Sequence, residues 1–242
     1  MWNVDYPIVD LHTHIIPWYD DGPNTYEESL KMIDMEYDQG IRHVFCTSHN
    51  GYTPEDIKDY LGKFHLLQRM VKSKYPDMEL HTGTEILCAG MYIDDIVYGL
   101  ENGAFLPLAK TRYVLVELFG NVTIDEANKV ISTLQANNWH PVLAHAERYP
   151  ALFEGAFISE LISRGCLIQV NAHSLVNDTN EERKSRARWL LKNGLMHFIG
   201  SDSHNLDPRV PNISSVIDYL HAMVEPEYIK KILFENYINY LS

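Results

Sequence analysis

The chain has 242 residues, of which 45% are hydrophobic and 22% are charged. This composition supports a buried core and argues against an intrinsically disordered protein. The formal net charge of −13 opposes binding to nucleic acids and anionic membranes, because both carry dense negative charge. We therefore expect no nucleic-acid partner and no membrane insertion.

The three cysteines, Cys46, Cys88 and Cys166, are too sparse for a disulfide framework and are expected to be small buried side chains. None of them begins the Cys-x5-Arg loop of cysteine-based phosphatases. The N-terminus lacks the pattern of a signal peptide, and no apolar segment reaches the ~20 residues of a membrane span. We expect a cytoplasmic protein with one domain over residues 1–242.

Short apolar segments of strand character alternate with longer segments of helical period. The predicted strands are Ile8–Leu11, His43–Thr47, Leu80–Gly83, Tyr113–Leu118, Pro141–Ala144, Leu167–Val170 and His197–Gly200. The predicted helices are Tyr26–Gln39, Pro54–Lys74, Thr123–Asn138, Phe157–Arg164, Glu181–Asn193 and Glu227–Leu241. This alternation predicts an α/β fold with a parallel sheet buried on both faces. A distorted (β/α)7 TIM-like barrel is the first choice, and a doubly wound open sheet is the alternative.

Histidines and acidic residues lie at the carboxyl ends of six of the seven predicted strands. In chain order, these residues and one acid from the first loop are His12, His14, Asp21, His49, Glu85, Glu117, His145, Asp202 and His204. In a parallel barrel these strand ends open onto one face, where active sites lie. Imidazoles and carboxylates are ligands of zinc, manganese and iron, and nine are too many for one tetrahedral ion. A lone His-x-His motif is weak evidence, but burying this whole set without cations would be very costly.

The remaining arginines and histidines of interest lie at different positions relative to the predicted strands. Arg148 and Arg209 closely follow predicted ligands, and a guanidinium binds phosphate as a planar fork. We therefore predict that both arginines bind substrate. His43, His81 and His197 lie near strand starts and should face the opposite end. His173 follows the sixth strand, and a role in substrate binding stays open.

Six sequence motifs together resemble one known family. They are Val9-Asp10-Leu11-His12-Thr13-His14, Asp20-Asp21-Gly22-Pro23, Thr47-Ser48-His49, Thr84-Glu85, Ala144-His145-Ala146-Glu147-Arg148-Tyr149 and Ser201-Asp202-Ser203-His204-Asn205-Leu206. In this combination the chain resembles the PHP (polymerase and histidinol phosphatase) superfamily. Within it, the chain is most similar to the metal-dependent protein-tyrosine phosphatases associated with bacterial capsule and exopolysaccharide synthesis.

The resemblance implies three divalent metal ions, with manganese as the first choice and iron or zinc as alternatives. It implies these ligand sets: His12, His14, Glu85 and Asp202 for the first ion, Glu85, Glu117 and His145 for the second, and Asp21, His49 and His204 for the third. Arg148 and Arg209 correspond to phosphate-binding arginines, and His204 is a further candidate catalytic residue as a proton donor.

The implied reaction is hydrolysis of a phosphotyrosine monoester by a metal-activated hydroxide. The implied substrate is a phosphotyrosine protein, namely the tail of a bacterial tyrosine kinase of polysaccharide synthesis. Three alternatives stay open: a small-molecule phosphoesterase similar to histidinol phosphatase, a metal hydrolase of the amidohydrolase type, and a non-enzymatic module with structural metals.

Overall fold

Parallel strands alternate with helices in the computed structural model, which describes residues 5–49 and 53–242. The strands of the described residues are β1 (Ile8–Thr13), β2 (Ile41–Cys46), β3 (Glu79–Thr82), β4 (Glu85–Leu87), β5 (Tyr113–Glu117), β6 (His140–Leu143), β7 (Leu167–Asn171) and β8 (Phe198–Gly200). They form two sheets, in the orders β1-β2-β3 and β4-β5-β6-β7-β8. Every registered pair is parallel. The predicted α/β fold with parallel strands is therefore confirmed.

The helices follow the strands and cover them. The α-helices of the described residues are α1 (Tyr26–Asp38), α2 (Pro54–Lys74), α3 (Ile93–Glu101), α4 (Ile124–Ala136), α5 (Phe157–Ser163), α6 (Ala172–Val176), α7 (Glu181–Lys192), α8 (Ile217–Met223), α9 (Pro226–Lys230) and α10 (Asn236–Tyr240). A π-helical turn, Lys231–Glu235, joins α9 to α10. No helix of the described residues combines the length and apolar character needed to cross a bilayer.

Local sequence signals explain where several helices begin and end. The Thr123 hydroxyl caps α4 by accepting from the Glu126 backbone N–H, and the Glu126 carboxylate accepts from the Thr123 backbone N–H, as the predicted capping box requires. Thr53 and Asp56 form the same arrangement before α2. Gly40 follows α1 with a φ of +87°, a backbone conformation that favours glycine at the end of a helix.

Two isolated bridges connect the two sheets, and both involve a residue at or just after the carboxyl end of β1 or β2. One bridge pairs Thr13, at the end of β1, with Ser203, which follows β8. A second pairs His49 with Glu85, and the Glu85 backbone N–H donates to the Thr47 carbonyl over 3.0 Å. The carboxyl ends of strands from both sheets therefore meet on one face of the molecule.

The predicted count of seven strands is wrong, because the described residues contain eight. β3 ends at Thr82, and Glu85 starts the separate strand β4 instead of ending the third strand. Gly83, between them, lies so close to Leu108 that a Cβ there would sit 3.0 Å from its side chain. The chain passes from the first sheet to the second at this point, and the His49–Glu85 bridge links the two sheets there. The sequence prediction also omitted α3, α6 and α8, which are all shorter than ten residues.

Apolar side chains form two buried clusters. The smaller one includes Leu11, Phe45, Leu115 and Phe198 from four strands, together with Tyr237 from α10. The larger cluster lies between the strands and the surrounding helices. All three cysteines are free and buried, as predicted.

Candidate metal centre

His12 and His14 lie on the same side of the chain at the end of β1, and both are fully buried. Their Nε2 atoms are 3.1 Å apart. Each of these atoms lies 3.2 Å from Oε2 of Glu85 and 3.6–3.7 Å from Oδ1 of Asp202. Two imidazoles from the end of β1 and two carboxylates, one from the start of β4 and one from the segment after β8, thus converge on one small volume.

Glu85 stands at the centre of the cluster. Its Oε1 lies 2.8 Å from Nε2 of His145, and its Oε2 lies 3.2 Å from Nδ1 of His49. Glu117 is more distant, with its Oε1 3.6 Å from Nε2 of His145. One buried carboxylate therefore faces imidazoles on opposite sides, which is the arrangement expected of a ligand shared between two cations.

A third part of the cluster lies nearer the surface, around Asp21. Oδ1 of Asp21 is 3.2 Å from Nε2 of His204 and 4.0 Å from Nε2 of His49. The His204 ring stacks on that of His14, with centroids 3.7 Å apart. This contact joins the outer residues to the buried pair from β1.

All nine predicted ligands fall into groups whose donor atoms lie within 4.8 Å of one another. The groups are His14, Asp21, His49 and His204; His12, Glu85 and His145; His12, His14 and Asp202; and His49, Glu85 and Glu117. The first group adds His14 to the set implied for the third ion. His173 belongs to none of these groups, and its Nε2 lies 3.7 Å from Asp178.

The electrostatics of the cluster fit divalent cations. Burial lowers the pKa of His14, but hydrogen bonds to Asp20 and Glu85 outweigh this effect and raise it to about 10. Burial and the neighbouring Glu85 raise the pKa of Glu117 to about 7. The buried Nε2 of His204 makes no hydrogen bond within the described chain. The site therefore attracts positive charge and presents a ring nitrogen without a hydrogen bond, and its mixed imidazole and carboxylate donors suit zinc, manganese or iron.

The two predicted arginines both contact the carboxylate of Asp202. Arg148 Nη2 lies 2.7 Å from Oδ2, and Arg209 Nη2 lies 2.9 Å from Oδ1. Arg209 also reaches Asp21, with Nη1 3.3 Å from Oδ2. The guanidinium groups thus border the ligand cluster and remain partly exposed, so an oxyanion bound at the cluster could contact both.

Gln169 supports the cluster, although the sequence analysis did not select it. Its Oε1 accepts a 2.7 Å hydrogen bond from the His145 backbone N–H and lies 3.3 Å from Nδ1 of His12. Its Nε2 donates to Asn171, whose Nδ2 donates to Asp202 over 2.8 Å. The available signal was a glutamine and an asparagine in the otherwise apolar segment Leu167–Asn171.

Asp20 and Tyr149 contact the Nδ1 atoms of two candidate ligand rings, those of His14 and His145. Oδ2 of Asp20 lies 2.7 Å from Nδ1 of His14 and also accepts a hydrogen bond from the His49 backbone N–H. The Tyr149 hydroxyl accepts from the Leu118 N–H and lies 3.1 Å from Nδ1 of His145. Such contacts orient the rings, because a hydrogen bond at one ring nitrogen directs the other toward the site.

Two ligand candidates have left-handed backbone conformations, His145 with a φ of +33° and Asp202 with a φ of +55°. Residues other than glycine adopt this region at a cost of about 1–3 kcal/mol, and such strain is concentrated at functional sites. Hydrogen bonds hold both residues in place: the His145 backbone N–H donates to Gln169, and the Asn171 side chain donates to Asp202.

Known proteins are similar to this chain in sequence. The family model for capsular polysaccharide synthesis proteins CpsB/CapC matches residues 8–242. Tyrosine-protein phosphatase CpsB of Streptococcus agalactiae serotype V is 31% identical over 239 residues, which cover 95% of this chain and 96% of that protein. Tyrosine-protein phosphatase YwqE of Bacillus subtilis is 29% identical over 206 residues, or 84% of this chain and 79% of the other.

Solved structures also resemble this chain. One chain comes from the crystal structures of YwqE from Bacillus subtilis and CpsB from Streptococcus pneumoniae, described as metal-dependent tyrosine phosphatases. It matches with a TM-score of 0.78 and 25% identity, over 91% of this chain and 89% of that chain. A phosphotriesterase homology protein from Escherichia coli, 10% identical with a TM-score of 0.62 over 99% of this chain and all of that one, shares the fold alone. The resemblance inferred from the motifs is confirmed, and the chain belongs to the CpsB/CapC family of capsular polysaccharide synthesis proteins.

Proposed function

We propose that this protein is a metal-dependent protein-tyrosine phosphatase of capsular polysaccharide synthesis, acting as a single domain over residues 1–242. The observation that carries the proposal is the convergence of nine imidazole and carboxylate groups beside two arginines that contact the same aspartate. Relatives about 30% identical over most of the chain are named tyrosine-protein phosphatases. We also propose a cytoplasmic location, which the free, buried cysteines support.

The proposed centre holds three divalent ions. The proposed ligand sets are His12, His14, Glu85 and Asp202; Glu85, Glu117 and His145; and Asp21, His49 and His204. Manganese is our first choice, and iron and zinc are the alternatives. Bound divalent ions would supply positive charge and lower the pKa of a water molecule from ~15.7 toward ~7, which makes it a competent nucleophile near neutral pH.

Arg148 and Arg209 would bind the phosphoryl group. Both guanidiniums contact Asp202, and their partly exposed positions allow them to turn toward phosphoryl oxygens once cations balance that carboxylate. Planar donors fixed at the site stabilise the negative charge on those oxygens. Arg148 is the more buried of the two, since its side chain is 30% exposed whereas that of Arg209 is 41% exposed.

His204 fits the role of a ligand better than that of a proton donor. Its Nδ1 lies 2.9 Å from the backbone carbonyl of Asp202, and this carbonyl can only accept a hydrogen bond. Nδ1 must therefore carry the proton, which leaves a lone pair on Nε2 in the neutral ring. The tyrosine leaving group, with a pKa of about 10, requires little assistance from an acid.

We propose further that the two sheets form one distorted TIM-like barrel. The bridges Thr13–Ser203 and His49–Glu85 support this closure, and so does the strand order, which follows the chain within each sheet. A doubly wound sheet would instead reverse its order at a switch point. The open face of the barrel would receive an exposed phosphotyrosine segment, for which we propose the tail of a bacterial tyrosine kinase.

The decisive assay is phosphate release from a phosphotyrosyl peptide by metal-stripped protein, with and without added Mn²⁺. Wild-type protein should release phosphate only with the metal, and chelation should abolish the reaction. His49→Ala should be inactive, and Arg148→Ala should lower both binding and turnover. Arg69→Ala, which removes an exposed arginine of α2, is the matched control and should behave as wild type.

Histidinol phosphate should be assayed in parallel. Release from this small molecule far above that from the peptide would retain the site but replace the substrate. A metal-loaded protein inert toward both phosphoesters would refute the proposed function.

A further inference from the structure

A second group of metal-binding side chains lies at the opposite end of the strands from the centre described above. His43, Glu79 and His81 offer three donor atoms within 4.8 Å of one another. They come from the adjacent parallel strands β2 and β3, in which His43 is paired with Glu79 and Phe45 with His81. Because alternate residues of a strand share a face, the three side chains project on the same side of the strand pair.

The distances between the donor atoms fit ligation of one ion. Nδ1 of His43 lies 3.2 Å from Nε2 of His81 and 3.8 Å from Oε2 of Glu79. Zinc–nitrogen bonds of about 2.0–2.1 Å at a tetrahedral angle place two ligand nitrogens roughly 3.3 Å apart. The two imidazoles therefore already have the spacing of a zinc-binding pair, and Glu79 needs only a small side-chain adjustment.

Aromatic neighbours fix the two imidazole rings. The His43 ring packs 4.5 Å from that of Tyr237, and the His81 ring packs 4.7 Å from that of Phe45, measured between centroids. Burial lowers the pKa of both histidines, so near neutral pH neither ring carries a positive charge that would repel a cation. The pair is thus held in place as neutral ligands.

The cluster is also accessible. His43 and Glu79 line an open cavity of about 1010 Å³ between the start of β1, the end of α1 and the start of β3. The Glu79 side chain is 55% exposed. An ion held by these residues would therefore keep a coordination position open to solvent.

We propose that His43, Glu79 and His81 form a separate zinc-binding site at the amino ends of β2 and β3. Two imidazoles and one carboxylate are a donor set that zinc commonly takes, with water in the fourth position. The competing explanation is a plain hydrogen bond between two neutral imidazoles, one donating and one accepting. The two explanations differ in whether removing one ring removes bound zinc.

The test is the zinc content of tag-free protein, measured by elemental analysis after equilibration with Zn²⁺ and removal of free metal. His81→Gln should bind one zinc fewer per chain than wild type and should keep its Mn²⁺-dependent phosphatase activity. His140→Gln, which changes an exposed histidine at the start of β6, is the matched control and should retain the wild-type zinc content. Equal zinc contents in all three proteins would overturn the proposal.

Two further measurements keep the test decisive if His81→Gln folds poorly. Glu79→Gln changes an exposed side chain and should weaken zinc binding at this site about tenfold or more. Crystals of the wild-type protein grown with Zn²⁺ should give an anomalous peak at the zinc edge between His43 Nδ1 and His81 Nε2. A zinc-loaded crystal without that peak would leave the hydrogen bond as the correct explanation.

Discussion

A substitution at Gln169 tests whether side chains that hydrogen-bond the candidate ligands stabilise the centre. This side chain is fully buried. It makes hydrogen bonds to the His145 backbone N–H, to Nδ1 of His12 and to the side chain of Asn171. Gln169→Leu keeps a similar volume but removes all three contacts. Each buried polar partner left without a hydrogen bond costs about 1–3 kcal/mol, and some of this cost is recovered by local relaxation.

We therefore expect Gln169→Leu to lower the free energy of unfolding by about 2–5 kcal/mol, a large share of the roughly 5–15 kcal/mol of a typical domain. The affinity for Mn²⁺ should also fall by about 10–100-fold, as is usual when a residue orienting a ligand is lost. Urea denaturation of metal-stripped protein measures the first effect, and titration calorimetry with Mn²⁺ measures the second.

The matched control is Gln68→Leu, because Gln68 is exposed on α2 and its side chain donates a long hydrogen bond, 3.4 Å, to the Leu80 carbonyl. This variant should change the free energy of unfolding by less than about 0.5 kcal/mol. If Gln169→Leu proved as stable as this control and bound Mn²⁺ like wild type, the assigned role of Gln169 would be wrong.

Three further substitutions test neighbouring contacts. Gly200→Ala should destabilise the protein by about 1–3 kcal/mol in urea denaturation, because its Cβ would lie 2.6 Å from that of His12. Gly62→Ala should instead raise stability by about 0.5–1 kcal/mol, since nothing lies within 4 Å of its added Cβ on α2; a loss of stability would contradict this. Tyr149→Phe removes the hydroxyl beside His145 and should weaken Mn²⁺ binding about tenfold or more in calorimetry, so unchanged affinity would rule out its orienting role.

Most of the candidate ligands could be predicted because they lie at or just after the carboxyl ends of strands, whereas Glu85 starts β4. His12 and His14 are two residues apart at the end of an apolar run, and this spacing places both side chains on one face of an extended chain. Parallel strands then bring separate sequence segments to the same end of the sheet. These two rules are enough to predict that His145 and Asp202, 57 positions apart in the printed sequence, lie close together.

The features that were not predicted from the sequence depend on contacts between distant segments, which no local sequence pattern indicates. Strand β4 has only three residues, and it is defined by its pairing with β5 and by the bridge from His49. The role of Gln169 follows from the positions of His12 and His145 across the sheet. His43 and His81 were correctly placed away from the main centre, but their 3.2 Å contact depends on the register between β2 and β3, which the sequence alone does not reveal.

The net charge of −13 opposes the binding of a phosphate substrate, and the geometry of the site resolves this conflict. Glu85 and Asp202 are buried beside histidines and arginines, so the negative charge near the site belongs largely to groups that cations would neutralise. With the proposed ions bound, the four ligand carboxylates are outweighed by the metal charge and by Arg148 and Arg209, which leaves a local positive potential. Inorganic phosphate should therefore bind the Mn²⁺-loaded protein in calorimetry and fail to bind after chelation. Equal phosphate binding in both states would mean that the arginines alone attract the anion, and that the acidic cluster has another purpose.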